Sequence, residues 1–399
     1  MKCKITKKKA LPVMSFGRMP LANGFLKKKD FKKEYFYELD LSWSESLSLL
    51  QLNNFPKPKK MFNKNYPFFS SSSEYMKIHF KDYAKWIKKN FASKYSNIIE
   101  IGSNDGTMLK NFEKFGDNYI GFEPSKSVAD HAIKNKIKTL NLFFNSNSLG
   151  KIKKFIHNTD IVYAANVICH IPDLIELIKC LDKVLNANGL FIFEEPYLGS
   201  MLKKVSYDQI YDEHIYIFSL TSVKKIFNLF DFDLIDAIPQ NTHGGSMRYV
   251  VSRKGKKPQS ARLKKMLENE NRSKINSIQS CLDFKKNCEL SKYNIVNKLI
   301  NFKKEGKEIC GYGATSKSTT ILNYCDIGPE IIDCIFDTTP EKINKYTPGM
   351  HIPVKEMKKN EFYKFDIAYL FAWNHKDEIF HKEKSFKLNG GQWFSHVKI

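Results

Sequence analysis

The chain has 399 residues, 42% apolar and 27% charged, which suits two or three globular domains and excludes a fibrous or wholly disordered protein. Its formal charge of +23 comes from 65 Lys and Arg against 42 Asp and Glu, yet only five of the 65 are Arg. Nucleic-acid sites draw on the bidentate Arg fork, so lysines scattered through every segment read as a solvated coat, and no nucleic-acid partner is expected.

The N-terminus, Met1-Lys-Cys-Lys-Ile-Thr-Lys-Lys-Lys9, is basic but lacks the apolar run of a secretory signal. No stretch reaches the ~18 apolar residues that span a bilayer. A cytoplasmic protein without a membrane partner is expected. Residues 1–80 read as a small irregular domain. They carry turn signals at Gly17-Arg-Met-Pro20 and Ala22-Asn-Gly24 and a Ser-rich patch, Tyr66-Pro-Phe-Phe-Ser-Ser-Ser-Ser73.

From residue 81 the pattern changes, and 81–255 form the second expected domain. An amphipathic helix over 83–91 precedes a strand over 98–101, a Gly-containing loop and a helix over 107–115. A strand over 119–122 and a helix over 127–135 follow. Further strands read at 137–140, 160–164, 190–193, 233–238 and 247–252. Strands alternating with helices of this length predict parallel βαβ units in a doubly wound sheet. Residues 253–259 read as a linker, and 260–304 as a long helical region. A second βαβ unit begins at Glu308, with strands over 331–336 and 366–372, so 256–399 form a third, Rossmann-like domain.

None of the eight cysteines forms a C-x-x-C pair, and several lie in apolar runs. Cys281 and Cys288 are two turns apart on one predicted helix, which is poor geometry for a metal. The cysteines read as buried small hydrophobes.

Four motifs carry chemistry. Glu100-Ile-Gly102-Ser-Asn104-Asp-Gly106 follows a strand and opens a helix, where glycine admits a ligand close to the backbone. Asn104 stands where the dinucleotide fingerprint has its second glycine, so this is not that fingerprint. Glu123 ends the next strand, where its carboxylate can accept from both ribose hydroxyls. The pair is the arrangement of S-adenosylmethionine-dependent methyltransferases. The fourth strand ends in a run containing Asn166 and His170, at the edge where open α/β sheets bind ligands. Past the fifth strand, Tyr207 to Tyr216 packs two Tyr, a Glu and a His within six residues. A His oriented by a carboxylate can take a proton beside a carbonyl, and a Tyr hydroxyl can donate to the enolate. Gly311-Tyr312-Gly313-Ala-Thr-Ser316-Lys317, with Asp337 at a strand end, imitates a dinucleotide fold but has Ser316 for its third glycine. It suits a phosphate or nucleotide better than NAD.

Together these motifs resemble the sugar C-methyltransferases that act on nucleotide-linked keto-deoxysugars. The resemblance also rests on Gly17 to Gly24, Tyr66 with Ser70 to Ser73, His79, Ala165 to His170, Gly244 to Arg248, Pro348 to Pro353 and Ala372-Trp-Asn374. It spans essentially the whole chain. It implies a class I methyltransferase domain, a C-terminal Rossmann-like domain for the nucleotide sugar, and a small N-terminal zinc domain. S-adenosylmethionine is the implied cofactor and a nucleoside-diphosphate keto-sugar the implied partner. The cofactor would meet Glu100, Gly102, Asn104, Gly106, Glu123 and Asn166. His214 would be the base that takes the proton from sugar C3, with Tyr211 and Glu213 positioning it or binding the sugar. His170 and Tyr66 would line the sugar pocket. Tyr216, Gly311, Tyr312, Gly313, Lys317 and Asn374 would bind the rest of the substrate. One departure is plain. The family binds zinc through two Cys-x-x-Cys pairs, reduced here to Cys3-Lys-Ile-Thr6 and a cysteine-free Ser42-Trp-Ser-Glu-Ser-Leu47. No metal is therefore expected, because structural zinc wants four closed ligands. The sequence leaves the oligomeric state open and is compatible with a monomer.

Overall fold

The computed structural model describes residues 1–61, 69–92 and 95–399, and it corrects the expectation of an irregular N-terminus. Strands β1 (Leu11–Pro20), β2 (Phe36–Ser44) and β3 (Leu49–Leu52) form an antiparallel meander. Pro12, Gly17 and Pro20 argue against a strand in the sequence. They are tolerated because β1 is the edge of the sheet, and its register shifts after Pro12 and after Ser15, with Gly17 at φ 77°.

The second sheet holds β4 (Asn97–Ile101), β5 (Asn118–Phe122), β6 (Thr139–Leu140), β7 (Thr159–Ala165) and β8 (Leu185–Pro196), all parallel. The two-residue β9 (Tyr216–Ile217) belongs elsewhere: it pairs with β3 and completes the N-terminal sheet. Then β10 (Phe232–Gln240) and β11 (Ser246–Arg253) return to the second sheet, β11 antiparallel to β8. The strand order β10-β11-β8-β7-β4-β5-β6 is the class I methyltransferase arrangement, which reverses direction at β4. Apolar runs such as Ile161 to Ala164 and Phe191 to Phe193 are buried on both faces, as central parallel strands require. The helix expected at 107–115 is reduced to Lys110–Glu113, preceded by turns.

Helix α1 (Glu74–Asn90) covers this sheet, its N-terminus capped by Ser73. Later, α2 (Leu198–Lys204) and α3 (Leu220–Asn228) bracket the loop that carries the Tyr, Glu and His. The helical connector is α4 (Ala261–Arg272) and α5 (Ile278–Lys304). Buried Glu270 fastens it: the carboxylate accepts from the backbone N–H groups of Leu220 and Thr221 and from the Tyr197 hydroxyl. That places an anion on the N-terminus of α3, where the helix dipole favours it.

The third sheet is wholly parallel, in the order β14-β13-β12-β15-β16. Its strands are β12 (Ile309–Tyr312), β13 (Cys334–Asp337), β14 (Val354–Glu356), β15 (Ile367–Leu370) and β16 (Gln392–Phe394). The edge strands β14 and β16 have three residues each, too few for an alternating pattern to be visible. Helix α6 (Ser316–Cys325) follows β12. One apolar cluster joins Leu41 and Trp43 of β2, Phe284 and Leu299 of α5 and Ile335 of β13, so the first and third units share a core. All eight cysteines are buried and free. No helix among the described residues is long and apolar enough to cross a membrane.

Candidate active site

A cavity of 1030 Å³ opens beyond the carboxyl ends of β4, β5, β7 and β12. Residues from all three units line it: Asn23 from the first, Gly102 and His214 from the second, Lys317 and Asn374 from the third.

At one end the chain leaves β4 through a turn that needs glycine. Gly102 has φ 68°, and a Cβ there would collide with both γ-methyls of Val167. Glu100 sits under this turn with its carboxylate accepting from the Tyr163 hydroxyl at 2.8 Å. Burial pushes that carboxyl well above the usual carboxylate range. Asn104, at φ 50°, accepts from the Ser70 N–H at 2.8 Å, and Asp105 accepts from the Ser71 N–H. This ties the Ser-rich turn to the loop. Glu123 receives the N–H groups of Asn104 at 3.1 Å and Ser125 at 2.6 Å, which fixes its carboxylate at the end of β5. Asn166, at φ 57°, lines the cavity with its Oδ1 buried and without a hydrogen-bond partner among the described residues. A buried acceptor left open at a cavity wall is a place for a ligand donor. These features fit S-adenosylmethionine.

At the other end stands His214. Its Nδ1 is 2.6 Å from the Gln209 carbonyl oxygen, which can only accept, so Nδ1 carries the proton. Nε2 then presents its lone pair and accepts from the Tyr211 hydroxyl at 2.8 Å. Burial, and next the neighbouring His170, hold His214 well below the ordinary histidine value, which keeps it neutral and able to take a proton. The His170 and His214 rings stack with centroids 5.3 Å apart, and burial lowers His170 to about 3. Glu213 accepts from the Asn23 amide at 2.7 Å. Ser316, the residue that replaces the third glycine of the second Gly motif, lies close to the Tyr211 hydroxyl.

Ligand atoms of Cys169, His170 and His214 lie within 4.8 Å of one another, close enough for a metal. Both nitrogens of His214 are already engaged, however, so the donor set fits proton transfer better than a metal.

The third unit contributes Tyr312, Gly313, Lys317 and Asn374. Gly313 has φ 86°. The buried Lys317 ammonium donates to Asn374 Oδ1 at 3.2 Å and lies 5.0 Å from the Trp373 ring. Tyr312 turns its hydroxyl to Glu383 at 3.2 Å. Three expected residues need correction. Gly106 is away from the cavity wall at φ 76°, and its missing Cβ makes room for Ile137. Gly311 lies within β12, where a side chain would strike Ile335 and Phe371. Tyr216 forms β9 and gives its hydroxyl to the Pro172 carbonyl at 2.7 Å, so it is a sheet residue rather than a substrate contact. Tyr66 lies outside the described residues.

Sequence reasoning missed several residues that hold this site. Glu195 accepts the N–H groups of Val167, Ile168 and Cys169 on one carboxylate oxygen, fixing the loop that carries His170. Burial raises it to about 7. Glu194 is clasped by His79 at 2.7 Å and by Arg248 Nε at 2.6 Å. Two adjacent glutamates leaving a core strand were the available signal. Asp208 accepts from Trp373 Nε1 at 2.6 Å and lies 3.1 Å from His396, latching the third unit to the loop before His214. Lys342 reaches the cavity from beyond β13, donating to the Ala314 carbonyl at 2.8 Å.

Comparison with known proteins finds relatives along the whole chain. The family described as a methyltransferase domain matches residues 74–237, that of a C-methyltransferase C-terminal domain 241–397, and that of a zinc binding domain 3–62. The chain is 28% identical over 387 residues to the C-methyltransferase NovU of Streptomyces niveus, a match spanning 96% of this chain and 92% of that protein. Among solved structures, the PH0226 protein of Pyrococcus horikoshii OT3 is 15% identical at a TM-score of 0.37, over 50% of this chain and all of the other. A SAM-dependent methyltransferase of Aquifex aeolicus is 12% identical at a TM-score of 0.34, over 44% of this chain and 97% of the other.

The zinc that the family matched at residues 3–62 implies does not fit the residues present. Cys3 is surrounded by hydroxyls: the Thr6 N–H donates to its Sγ at 3.4 Å, and the Thr6 and Ser44 hydroxyls each lie 3.2 Å from that of Ser46. One thiol and three hydroxyls already bonded to each other do not make a closed tetrahedral zinc site.

Proposed function

We propose, for a chain that belongs to the S-adenosylmethionine-dependent C-methyltransferases, that the acceptor is a nucleotide-linked keto-deoxysugar. The observation that carries this reading is one cavity with a nucleoside-type turn at Gly102 and a neutral His–Tyr pair at His214. Two lysines, Lys317 and Lys342, line the same cavity. They favour a diphosphate there, with the Gly313 backbone approaching it closely.

S-adenosylmethionine, when bound, supplies a methyl group activated on a sulfonium. Gly102, Asn104, Glu123 and Asn166 would hold it. The acceptor carbonyl draws the Tyr211 O–H away from His214, and this frees the Nε2 lone pair. His214 then takes the proton from the carbon beside the carbonyl, C3 of a 4-keto-sugar, while Tyr211 donates to the enolate oxygen. The electron pair left on that carbon, held as the enolate, would form the bond to the methyl carbon, and the methyl–sulfur pair would leave with sulfur. Alignment and enolate stabilisation supply the rate. His170 lines the sugar end of the cavity, and Glu213 orients the loop. The N-terminal unit works without zinc, held by its sheet and its shared core.

The test is a panel of nucleotide keto-sugars with labelled S-adenosylmethionine, scored by mass, alongside solvent deuterium entering at C3. Methylation on oxygen, or transfer without any C3 exchange, would remove the enolate reading.

A further inference from the structure

The N-terminal unit reaches the cavity through a turn. The stretch Gly17 to Gly24 ends in Ala22-Asn23, and these two residues make three hydrogen bonds to the other two units. The Ala22 N–H donates to Asp212 Oδ1 at 3.1 Å, and the Ala22 carbonyl accepts from Thr319 Oγ1 at 2.8 Å. Asn23 Nδ2 donates to Glu213 Oε1 at 2.7 Å, across 190 positions of sequence. Asn23 also lines the cavity.

We propose that Asn23 is a positioning residue for the methyl transfer, acting through Glu213 on the loop that carries His214. The inference rests on the reaction proposed above. The backbone does not call for Asn here, because Asn23 is not among the residues with positive φ. The side chain is therefore to be explained by its contact. An amide N–H given to a carboxylate favours the ionised form and fixes its rotamer. Glu213 is the residue next to the base, so its rotamer sets where the negative charge beside His214 comes to rest. Thr320 Oγ1, donating to the Ile210 carbonyl at 2.8 Å, grips the same loop from the third unit. The N-terminal unit thereby completes the active site.

The test uses the full chain with Asn23→Ala and Asn23→Asp, assayed on whichever keto-sugar the wild type accepts. Expected are a kcat at least tenfold lower, with Asp worse than Ala because two carboxylates would face each other. The S-adenosylmethionine Kd should stay within twofold. The acid limb of the kcat profile should move to higher pH in Asn23→Ala, since Glu213 loses a donor to its ionised form. An unchanged pH profile, with activity lost only as Tm falls, would overturn the proposal. If the wild type binds S-adenosylmethionine but methylates no keto-sugar, the acceptor reading fails by itself. The pair is then read from Asn23→Ala, Glu213→Gln and their double variant in thermal unfolding at several pH values: non-additive shifts uphold the contact, and additive ones overturn it.

Discussion

The hydroxyl of Tyr211 lies 2.8 Å from Nε2 of His214, on the nitrogen that the Gln209 carbonyl leaves without a proton. In the reaction proposed above, the resting chain would thus cover its base with the group that later meets the enolate. His214→Asn should abolish both methyl transfer and deuterium exchange at C3, while calorimetry finds S-adenosylmethionine affinity within about twofold. Tyr211→Phe should lower kcat by ~10²–10³ with slow exchange still measurable. A Tyr211→Phe enzyme as fast as the wild type would refute the role given to that hydroxyl.

Gly102 can carry no side chain without displacing Val167. Gly102→Ala places a methyl at φ 68°, where strain of about 1 kcal/mol adds to the collision. Binding of S-adenosylmethionine should weaken by at least tenfold in calorimetry, and binding of wild-type strength would show that the cofactor lies elsewhere.

His170 is one of several histidines lowered by burial, with His214, His243 and His375, that make stability depend on pH. Its folded value near 3 lies below the ordinary 6.5 because of burial. An unfolded chain takes up this proton below pH 6.5, and the folded chain does so only near pH 3. The contribution of His170 to stability is therefore complete above 6.5 and falls as pH drops through that window. Allowing for the partly open face of the ring, the loss is about 1 kcal/mol at pH 5. In His170→Asn, Tm plotted against pH should be flatter between 6.5 and 4. A curve of unchanged slope would discard the assignment.

The N-terminal unit should be indifferent to chelators. Metal analysis of the purified protein should find well below one zinc per chain, and EDTA should leave Tm where it was. Cys3→Ser, which trades a buried thiol for a hydroxyl among hydroxyls, should cost about 1 kcal/mol or less. A stoichiometric zinc, or an unfolding step on chelation, would contradict the donor set around Cys3.

The strand-end motifs were readable because their chemistry is local. Gly102, Glu123 and Asn166 each sit where a core strand stops, and a short apolar run announces such an end. His214 stood out because Tyr211 and Glu213 are three residues or fewer away. What could not be read depends on distance or on shape. Gly106 and Gly311 look like ligand glycines in the sequence, since a side chain is forbidden equally by a ligand and by a neighbouring Ile137 or Phe371. Tyr216 shares the composition of the Tyr211-to-His214 stretch but is drawn by β3 into another sheet. The contact of Asn23 with Glu213, and that of Trp373 with Asp208, join segments more than 160 residues apart, beyond any periodicity in the chain.

The pairing of Leu50 and Gln51 with Ile217 and Tyr216 has a consequence for biosynthesis. The meander of β1 to β3 leaves the ribosome early, but the strand that closes its apolar edge, Leu49-Leu-Gln-Leu52, is made more than 160 residues later. At ~5–20 residues per second that edge stays unpaired for roughly ten to thirty seconds. A bare Leu-rich edge is a template for wrong partners during that interval. Nascent chains stalled between Leu52 and Tyr216 should therefore be the species most dependent on chaperones, and slow translation the condition under which this enzyme aggregates.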